Sequence, residues 1–338
     1  MNVLLQRVVD GATLDAEESA RAFDAIMTGQ VEKPDLAAFL GAQAARGPTV
    51  AEIVGAARAM RSHMKTVRAP DGTVDLCGTG GDGHNTLNIS TAASFVVAGA
   101  GVPVAKHGNR SATSRAGAAD VLEALGVRID IDTQTAERCL SQAGVCFLFA
   151  QFHHPAMKHV AEVRREIGTR TIFNLLGPLC NPAGVRRQLI GVYAREWVEP
   201  LARVLLELGA EHAWIVHGAD GLDEMTTTEA THVAILKGGD ISLRDVLPEE
   251  AGIARASIAD IKGGDALLNA KALRQLLEGD AHRGYHDIVA LNSAAALMVA
   301  GKARDLPEGV EIANESIRGG RALAAFNSVV AATHRYGP

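Results

Sequence analysis

The stretch Val74-Asp-Leu-Cys-Gly-Thr-Gly-Gly-Asp-Gly83 joins a short apolar run to a glycine-rich loop. A second apolar run, about a helix length further on, leads into the loop Lys106-His-Gly-Asn-Arg-Ser-Ala-Thr-Ser114. Glycine tolerates positive φ and lets a ligand approach the backbone, so clustered glycines present N–H groups to an anion. Lys106 and Arg110 add positive charge. The two loops therefore predict a phosphate site at the ends of adjacent strands.

Short apolar runs that are typical of buried strands alternate with helical segments after residue 73. The runs cover residues 74–77, 102–105, 145–149, 188–193, 212–217 and 231–236. This alternation predicts an α/β domain with a largely parallel sheet. The last hundred residues return to helical periodicity, at 266–277, 286–300 and 311–332.

The first 66 residues carry helical periodicity only, at 3–9, 14–27, 36–45 and 49–64, with Thr49 as the N-cap of the last helix. The turn sequence Arg68-Ala-Pro-Asp-Gly72 then indicates a domain boundary. We therefore expect a small helical domain over 1–67 and a large α/β domain over 73–338. The segment 156–176 departs from the alternation, because it is helical without an intervening strand, and a loop is expected at 177–182.

The composition is that of a soluble enzyme. The chain has 338 residues, 47% hydrophobic and 4% aromatic, and a net charge of −6, so neither a nucleic-acid partner nor a membrane is expected. Four cysteines show no CxxC spacing and predict reduced thiols. The amino terminus lacks a basic flank before an apolar core, which indicates neither secretion nor membrane insertion. The expected location is the cytoplasm.

The string from Gly78 to Gly83 also matches the dinucleotide fingerprint GxGxxG. Two features count against a dinucleotide. The next helix is expected to begin at Ser90 or Thr91, which makes the loop long, and Lys106 stands where an acidic residue should meet a ribose. No GKS or GKT completes a Walker A motif. Ordinary glycine-rich turns remain the alternative to an anion site formed by these loops and the helix start.

Adjacent carboxylates occur at Asp223-Glu224, after the predicted strand 212–217. Mg²⁺ commonly binds through one or two carboxylates and substrate phosphates, so the pair predicts a magnesium site next to the phosphate loops. A solvated acidic turn is the alternative.

Seven strings occur together in this chain: GTGGDG, NIST, KHGNR, ADVLEALG, FLFAQFHHPAMK, RTIFNLLGPLCNPA and HGADGLDEMT. In content and order they resemble the anthranilate phosphoribosyltransferases, which join anthranilate to phosphoribosyl pyrophosphate in tryptophan biosynthesis. The resemblance spans nearly the whole chain. It implies a homodimer formed through the small helical domains, each completed by a mid-chain segment at about 156–182.

The resemblance also implies where the ligands bind. Each subunit would bind two Mg²⁺ ions. Ser90 and Glu224 would hold one ion, and Asp223 and Glu224 would hold the other. The phosphoribosyl donor would contact Gly78, Gly81, Asp82, Thr86, Asn88, Ile89, Ser90, Thr91, Lys106, His107, Gly108, Asn109, Arg110, Ser111, Ala112, Thr113, Ser114 and Ala118.

For the acceptor, the resemblance implies that Arg164 pairs with the anthranilate carboxylate and that Gly78 and Asn109 contact anthranilate where it meets the ribose. His107, His153 and His154 would line its entry path. A solvated helix charge is the alternative for Arg164. Zinc at His153-His154 is disfavoured, because adjacent histidines lack the spacing that places two on one helix face.

The implied mechanism needs no covalent nucleophile, because the amine attacks C1 of the ribose as pyrophosphate leaves. One residue departs from the family pattern: Ala118 stands where a serine is common. Two other classes are considered. A pyrimidine nucleoside phosphorylase should lack Arg164 and the acidic pair. A nucleic-acid-binding relative should be basic and should lack the intact motifs.

Overall fold

A computed structural model describes residues 2–111 and 115–336 of the chain. In this part, seven strands form one sheet in the order β3-β2-β1-β4-β5-β6-β7. The strands are β1 (Val74–Gly78), β2 (Val104–Gly108), β3 (Val145–Phe149), β4 (Arg187–Gly191), β5 (His212–Gly218), β6 (Thr231–Lys237) and β7 (Asp240–Val246).

Strands β1 to β5 pair in parallel, whereas β6 and β7 pair antiparallel. The prediction of a largely parallel sheet is confirmed. Strand β7 was not predicted: it lies at the edge of the sheet, and most of its side chains are exposed, so it lacks the apolar run of a buried strand.

Helices surround this sheet and form the amino-terminal part of the molecule. In the described ranges they are α1 (Asn2–Val9), α2 (Ala16–Met27), α3 (Lys33–Arg46), α4 (Val50–Ser62), α5 (Ile89–Gly99), α6 (Ala118–Ala124), α7 (Thr133–Ala143), α8 (Ala150–His153), α9 (Ala161–Ile167), α10 (Phe173–Leu179), α11 (Val198–Glu207), α12 (Ala266–Glu278), α13 (Arg283–Ala300), α14 (Leu306–Arg318) and α15 (Arg321–Tyr336).

Local sequence explains how helix α4 begins. The side chain of Thr49 accepts a hydrogen bond from the Glu52 amide, and the Glu52 side chain accepts one from the Thr49 amide, which completes the predicted N-cap of α4 as a capping box. The buried Glu52 carboxylate is compensated by Arg46, at 2.9 Å between Nη1 and Oε2. The guanidinium and the cap hydrogen bonds lower the pKa of Glu52 against the opposing effect of its burial.

The mid-chain helices pack against these first helices. The Phe173 ring of α10 lies edge-on to the Phe23 ring of α2, with 5.6 Å between centroids, and Phe23 contacts Phe39 of α3 at 5.8 Å. The prediction of one helical run over 156–176 is wrong in detail. A 3₁₀ turn (Pro155–His159) precedes α9, and Gly168 ends α9 at φ +66.

Three further predictions are corrected by the structure. Residues 177–179, expected in a loop, complete α10, and Pro178 lies one residue before the helix ends. The single helix expected over 311–332 is divided into α14 and α15 at Gly319-Gly320, where Gly320 has φ +68. Helix α5 begins at Ile89, one residue before the expected start.

Alternation along the strands gives the sheet two apolar faces. Leu189 of β4 packs in the core formed with α5 and α12 to α15, whereas Ile190 packs in the core formed with α11 and the amino-terminal helices. The carboxyl ends of β1 and β2 therefore lie between these two layers. None of the helices described here is long and apolar enough to cross a lipid bilayer.

Candidate active site

A cleft of about 820 Å³ opens at the carboxyl ends of β1 and β2 and extends to the segment formed by α8, the 3₁₀ turn, α9 and α10. It brings together most of the residues expected from the sequence. Those that line it are Gly78, Gly81, Asp82, Thr86, Asn88, Ile89, Ser90, Thr91, Lys106, His107, Gly108, Asn109, Arg110, Ser111, Ala118, His154, Arg164, Asp223 and Glu224. Ala112, Thr113 and Ser114 lie outside the described residues.

The first glycine-rich loop is anchored at its base and open above. The Thr79 amide donates to the Gly191 carbonyl at 2.9 Å, and the Thr79 hydroxyl accepts from the Tyr193 amide at 2.9 Å. Gly80 and Gly81 then adopt φ +68 and +82. These conformations favour glycine, and they present backbone N–H groups to an anion beside the start of α5.

The acidic pair reaches this loop from the connection between β5 and β6. The Oδ2 atom of Asp223 accepts from the Gly80 amide at 2.7 Å, and Oε1 of Glu224 accepts from the Ser90 amide at 3.2 Å. The pair therefore contacts both the glycine-rich loop and the first turn of α5.

A buried asparagine that the sequence did not single out holds the backbone next to this pair. Oδ1 of Asn292, on α13, accepts from the Met225 amide at 3.0 Å, and its Nδ2 donates to the Met225 carbonyl at 2.8 Å. Asn269 of α12 acts similarly on the start of α5, where its Nδ2 donates to Oδ1 of Asn88 at 2.9 Å.

The surroundings of the acidic pair raise the pKa values of both carboxylates. Burial raises the pKa of Asp223 well above its usual value, and the neighbouring charges of Asp82 and Glu224 raise it further. Burial raises the pKa of Glu224 to about 7, although Lys106 opposes the shift. Since both carboxylates line the cleft, a cation there would relieve the repulsion between them.

The donor atoms at this point suit Mg²⁺. It prefers oxygen ligands and commonly binds through one or two carboxylates, together with water and substrate phosphates. Asp223, Glu224 and the Ser90 hydroxyl supply such oxygens. No group of three or more His, Cys, Asp and Glu side chains placed to ligate one metal ion occurs in residues 2–111 and 115–336.

The two cations predicted in the second loop have different surroundings. Lys106 is buried, and its Nζ donates to the Leu76 carbonyl at 2.6 Å and to the Ser90 hydroxyl at 3.2 Å. Its charge therefore lies beneath the start of α5. The guanidinium of Arg110 contacts Asp120 at 2.9 Å and also contacts Glu123, so acidic side chains partly neutralise its charge.

The wall of the cleft formed by α9 and α10, opposite the glycine-rich loops, carries a cation that has no carboxylate partner among the described residues. Arg164, on α9, is half-buried and forms no ion pair with any residue that the structure describes, and burial lowers the pKa of its guanidinium. The guanidinium lies 5.2 Å from the centre of the Phe173 ring. Met157 and Pro178 also line this part of the cleft, which therefore combines an apolar slot with a site for an anion.

Two imidazoles that line the cleft, those of His107 and His154, lie next to each other. Nδ1 of His107 lies 3.1 Å from the Gly177 carbonyl, and Nε2 of His107 lies 3.3 Å from Nε2 of His154. Burial lowers the pKa of both rings, that of His154 to about 4, so both are neutral at pH 7. The expectation that His153 lines the entry path is wrong, because its buried ring points to the Lys65 carbonyl, with Nδ1 at 2.9 Å.

One arginine near the cleft was missed entirely. Arg170 lies between α9 and α10, and its Nη2 donates to the Gly81 carbonyl at 2.5 Å. Its guanidinium lies 4.1 Å from the centre of the Tyr193 ring. Its position in the string RTIFNLLGPLCNPA was the only sequence signal, and that string does not indicate what Arg170 contacts.

Comparison with known proteins agrees with this geometry. Residues 70–323 match the family described as "Glycosyl transferase family, a/b domain", and residues 2–64 match "Glycosyl transferase family, helical bundle domain". The chain is 54% identical over 335 residues to anthranilate phosphoribosyltransferase from Methylocella silvestris, covering 99% of this chain and 96% of the relative. It is 54% identical over 330 residues to that from Rhodopseudomonas palustris, covering 98% and 97%.

Solved structures show the same similarity. Anthranilate phosphoribosyltransferase from Thermus thermophilus matches with a TM-score of 0.93 and 41% identity, over 98% of this chain and 99% of that chain. The enzyme from Saccharomyces cerevisiae in complex with PRPP and Mg matches with a TM-score of 0.90 and 26% identity, over 98% and 97%. Sequence, fold and cleft thus lead to one assignment: this chain belongs to the anthranilate phosphoribosyltransferase family.

Proposed function

We propose that the cleft carries out the reaction of this family, with the donor bound on the wall of the glycine-rich loops and the acceptor bound on the wall formed by α9 and α10. The phosphoribosyl group of 5-phosphoribosyl 1-pyrophosphate passes to the amine of anthranilate, which gives N-(5-phosphoribosyl)anthranilate and pyrophosphate in tryptophan biosynthesis. The observation that carries the proposal is the position of Asp223 and Glu224 against the glycine-rich loop. On the opposite wall lies the Arg164 guanidinium, which forms no ion pair with a described residue.

On the donor wall, backbone N–H groups of the two loops and of the α5 start bind the phosphates of the donor, and buried Lys106 adds positive charge. Ser90, Asp223 and Glu224 are the residues that would hold Mg²⁺, two ions per subunit. When bound, Mg²⁺ supplies positive charge that offsets the charge of the departing pyrophosphate. Support for Mg²⁺ comes from the Saccharomyces cerevisiae relative, whose structure contains PRPP and Mg.

On the acceptor wall, Arg164 binds the carboxylate of anthranilate, and the slot beside Phe173 takes its ring. Gly78 and Asn109 contact the acceptor near the ribose. The neutral imidazoles of His107 and His154 line its path without adding charge. A structure of the Saccharomyces cerevisiae relative in complex with 4-fluoroanthranilate supports an aromatic acceptor of this kind.

Because an aromatic amine is neutral at cellular pH, its nitrogen can attack C1 of the ribose directly. The walls of the cleft then act by holding the amine and C1 in line as the C1–N bond forms and the bond to pyrophosphate breaks. The nitrogen releases one proton to solvent, which gives the neutral secondary amine of the product. No side chain forms a covalent intermediate in this scheme.

The same proposal includes the organisation of the molecule. Residues 1–67 and the segment at about 156–182 form the small helical domain, and 73–338 form the large domain, with 68–72 as one hinge between them. Contacts of α9 with α3 and of α10 with α4 support this division. Two subunits associate through their small domains, and the exposed side chains of Val3 and Val9 on α1 are available for such an interface. The four cysteines are free and buried, which supports a cytoplasmic location.

The decisive experiment follows the fluorescence of anthranilate in the presence of phosphoribosyl pyrophosphate and Mg²⁺, with EDTA as the control. We expect a decay of fluorescence that requires Mg²⁺ and that yields one pyrophosphate per anthranilate consumed. Absence of any decay with an intact, folded protein would refute the proposed activity. If that protein then released ribose 1-phosphate from a pyrimidine nucleoside and orthophosphate, it would be assigned as a nucleoside phosphorylase.

The subunit arrangement is tested separately by light scattering coupled to size-exclusion chromatography. We expect the mass of a dimer for the unmodified chain. A change of Val3 and Val9 to Asp should shift the equilibrium towards monomer, and a monomeric unmodified chain would refute the dimer.

A further inference from the structure

Arg170 connects the two walls of the cleft. It lies on the segment that carries the acceptor residues Arg164 and Phe173, yet its guanidinium donates to the Gly81 carbonyl at 2.5 Å, in the glycine-rich loop of the donor wall. Of the ion pairs in the described ranges, none involves Arg170, so a backbone carbonyl and an aromatic ring are its principal partners.

The local backbone fixes the place from which Arg170 reaches across. Gly168 ends α9 in the left-handed conformation, at φ +66, and so reverses the chain before Arg170. Immediately after Arg170, the Thr171 amide donates at 3.0 Å to Oδ1 of Asn174, which lies in the first turn of α10. Arg170 therefore occupies a short connection that is held at both ends.

Arg170 contacts the glycine-rich loop directly, at Gly81, and also contacts Tyr193, which is hydrogen-bonded to the same loop. Its guanidinium lies 4.1 Å from the centre of the Tyr193 ring, within the range of a cation–π interaction. The Tyr193 amide donates to the Thr79 hydroxyl at 2.9 Å, two residues before Gly81. Arg170 and Tyr193 thus hold the glycine-rich loop from two sides, one on the helical segment and one after β4.

We propose that Arg170 is a positioning residue that couples the binding of pyrophosphate at the glycine-rich loop to the binding of the aromatic acid at Arg164. This inference rests on the proposed function, since that function identifies the two ligands. When pyrophosphate orders the loop, the Gly81 carbonyl holds Arg170, and Arg170 holds the segment that carries Arg164 and Phe173. The acceptor then binds to a wall that is already ordered.

The coupling is measured on the full-length enzyme with two ligands that do not react with each other. Anthranilate is titrated, with its own fluorescence as the signal, in Mg²⁺ alone and in Mg²⁺ with saturating pyrophosphate. For the unmodified enzyme we expect pyrophosphate to tighten anthranilate binding at least about fivefold. For Arg170→Gln we expect the ratio of the two dissociation constants to fall to about one, and for Arg170→Lys we expect an intermediate ratio.

The matched control is Arg165→Gln, which removes one exposed positive charge from the neighbouring helix α9 without touching Gly81 or Tyr193. It should retain the coupling of the unmodified enzyme. Full coupling in Arg170→Gln, or an equal loss of coupling in Arg165→Gln, would overturn the proposal.

A second measurement does not depend on the identity of the ligands. Hydrogen exchange of the peptide that contains Thr79 and Gly80 is compared in the ligand-free proteins. Arg170→Gln should exchange about tenfold faster there than the unmodified protein, as expected for loss of one hydrogen bond to a charged group. If neither ligand binds to the unmodified enzyme, the proposed function fails, whereas unchanged exchange in Arg170→Gln refutes the role of Arg170.

Discussion

The carboxylate of Asp223 accepts a hydrogen bond from the Gly80 amide at 2.7 Å, although 143 residues separate the two in the chain. This contact requires that the strand leading into the loop carry no side chain at its end. A Cβ atom on Gly78 would overlap the Oδ2 atom of Asp223. The glycine at the end of β1 therefore has a steric role that is independent of the freedom it gives the backbone.

The first prediction concerns this contact. We expect Gly78→Ala to displace the Asp223 carboxylate and to lower kcat/KM for the donor about 100-fold, the loss typical of a misplacement of about 1 Å. Steady-state kinetics at varied donor concentration give the value. Gly41→Ala is the control, because a Cβ there meets nothing within 4 Å and Gly41 lies in α3, outside the cleft. Unchanged kinetics in Gly78→Ala would show that Asp223 can move without consequence.

The raised pKa values of the acidic pair predict how stability depends on pH. Because the folded protein holds these protons more tightly than the unfolded chain, the free energy of unfolding should fall as the pH rises from about 4.5 through about 7. The ligand-free Asp223→Asn/Glu224→Gln variant should then be more stable than the unmodified protein at pH 8, by about 2 kcal/mol, and the difference should shrink towards pH 4. Denaturant unfolding at both pH values measures it; equal stability at pH 8 would contradict the shifts.

The same variant tests the cation site. We expect Mg²⁺ to raise the melting temperature of the unmodified protein more at pH 8 than at pH 5, because protons compete with the cation for the carboxylates. The variant should show no such increase and should have lost turnover while keeping its fold. Near-normal turnover of the variant at saturating Mg²⁺ would rule out these two residues as ligands.

The fourth prediction concerns the acceptor. Arg164→Ala should raise KM for anthranilate about 10- to 100-fold and leave KM for the donor nearly unchanged, since it removes a charged hydrogen-bond donor from one wall only. Arg165→Ala, on the same helix and exposed, should leave both constants unchanged. If the two variants behave alike, Arg164 is a solvated helix charge.

The fifth prediction concerns the departure at Ala118. This residue begins α6 and lines the cleft next to Gly108, so a serine there would present a hydroxyl at the helix N-terminus. We expect Ala118→Ser to lower KM for the donor by up to about fivefold, which corresponds to about 1 kcal/mol for one neutral hydrogen bond. KM for anthranilate serves as the internal control. A higher KM for the donor would show that the site is built around the smaller residue.

The two glycine-rich loops could be placed together from the sequence because each directly follows a recognisable strand. The two glycine-rich loops follow apolar runs that pair as neighbouring strands, and a loop at the end of a buried parallel strand must lie at the same edge of the sheet. Arg170 and Asn292 could not be found in this way. Their partners, Gly81 and Met225, are 89 and 67 residues away, and the contacts are to backbone atoms, which leave no pattern in side-chain type.

The errors in secondary structure have similar causes. Strand β7 is an exposed edge strand, so its residues carry little of the hydrophobic signal on which a strand prediction depends. The residues Gly177 and Pro178 indicated a loop, yet packing of α10 against the first helices keeps them in the last turn. At α10, tertiary contact therefore overruled the local preference for a loop.

The position of β1 in the middle of the sheet has a consequence for the order in which the chain folds. One neighbour of β1 is β2, close in sequence, but the other is β4, which ends at Gly191. Phe173, which packs on Phe23, is also far from it along the chain. A growing polypeptide therefore leaves one edge of β1 unpaired, and leaves its first helices without their partner, until more than half of it has been synthesised. Strand β1 and the first helices therefore gain these partners at nearly the same point of translation, and before that point the nascent chain exposes an unpaired strand edge and apolar surface that favour aggregation.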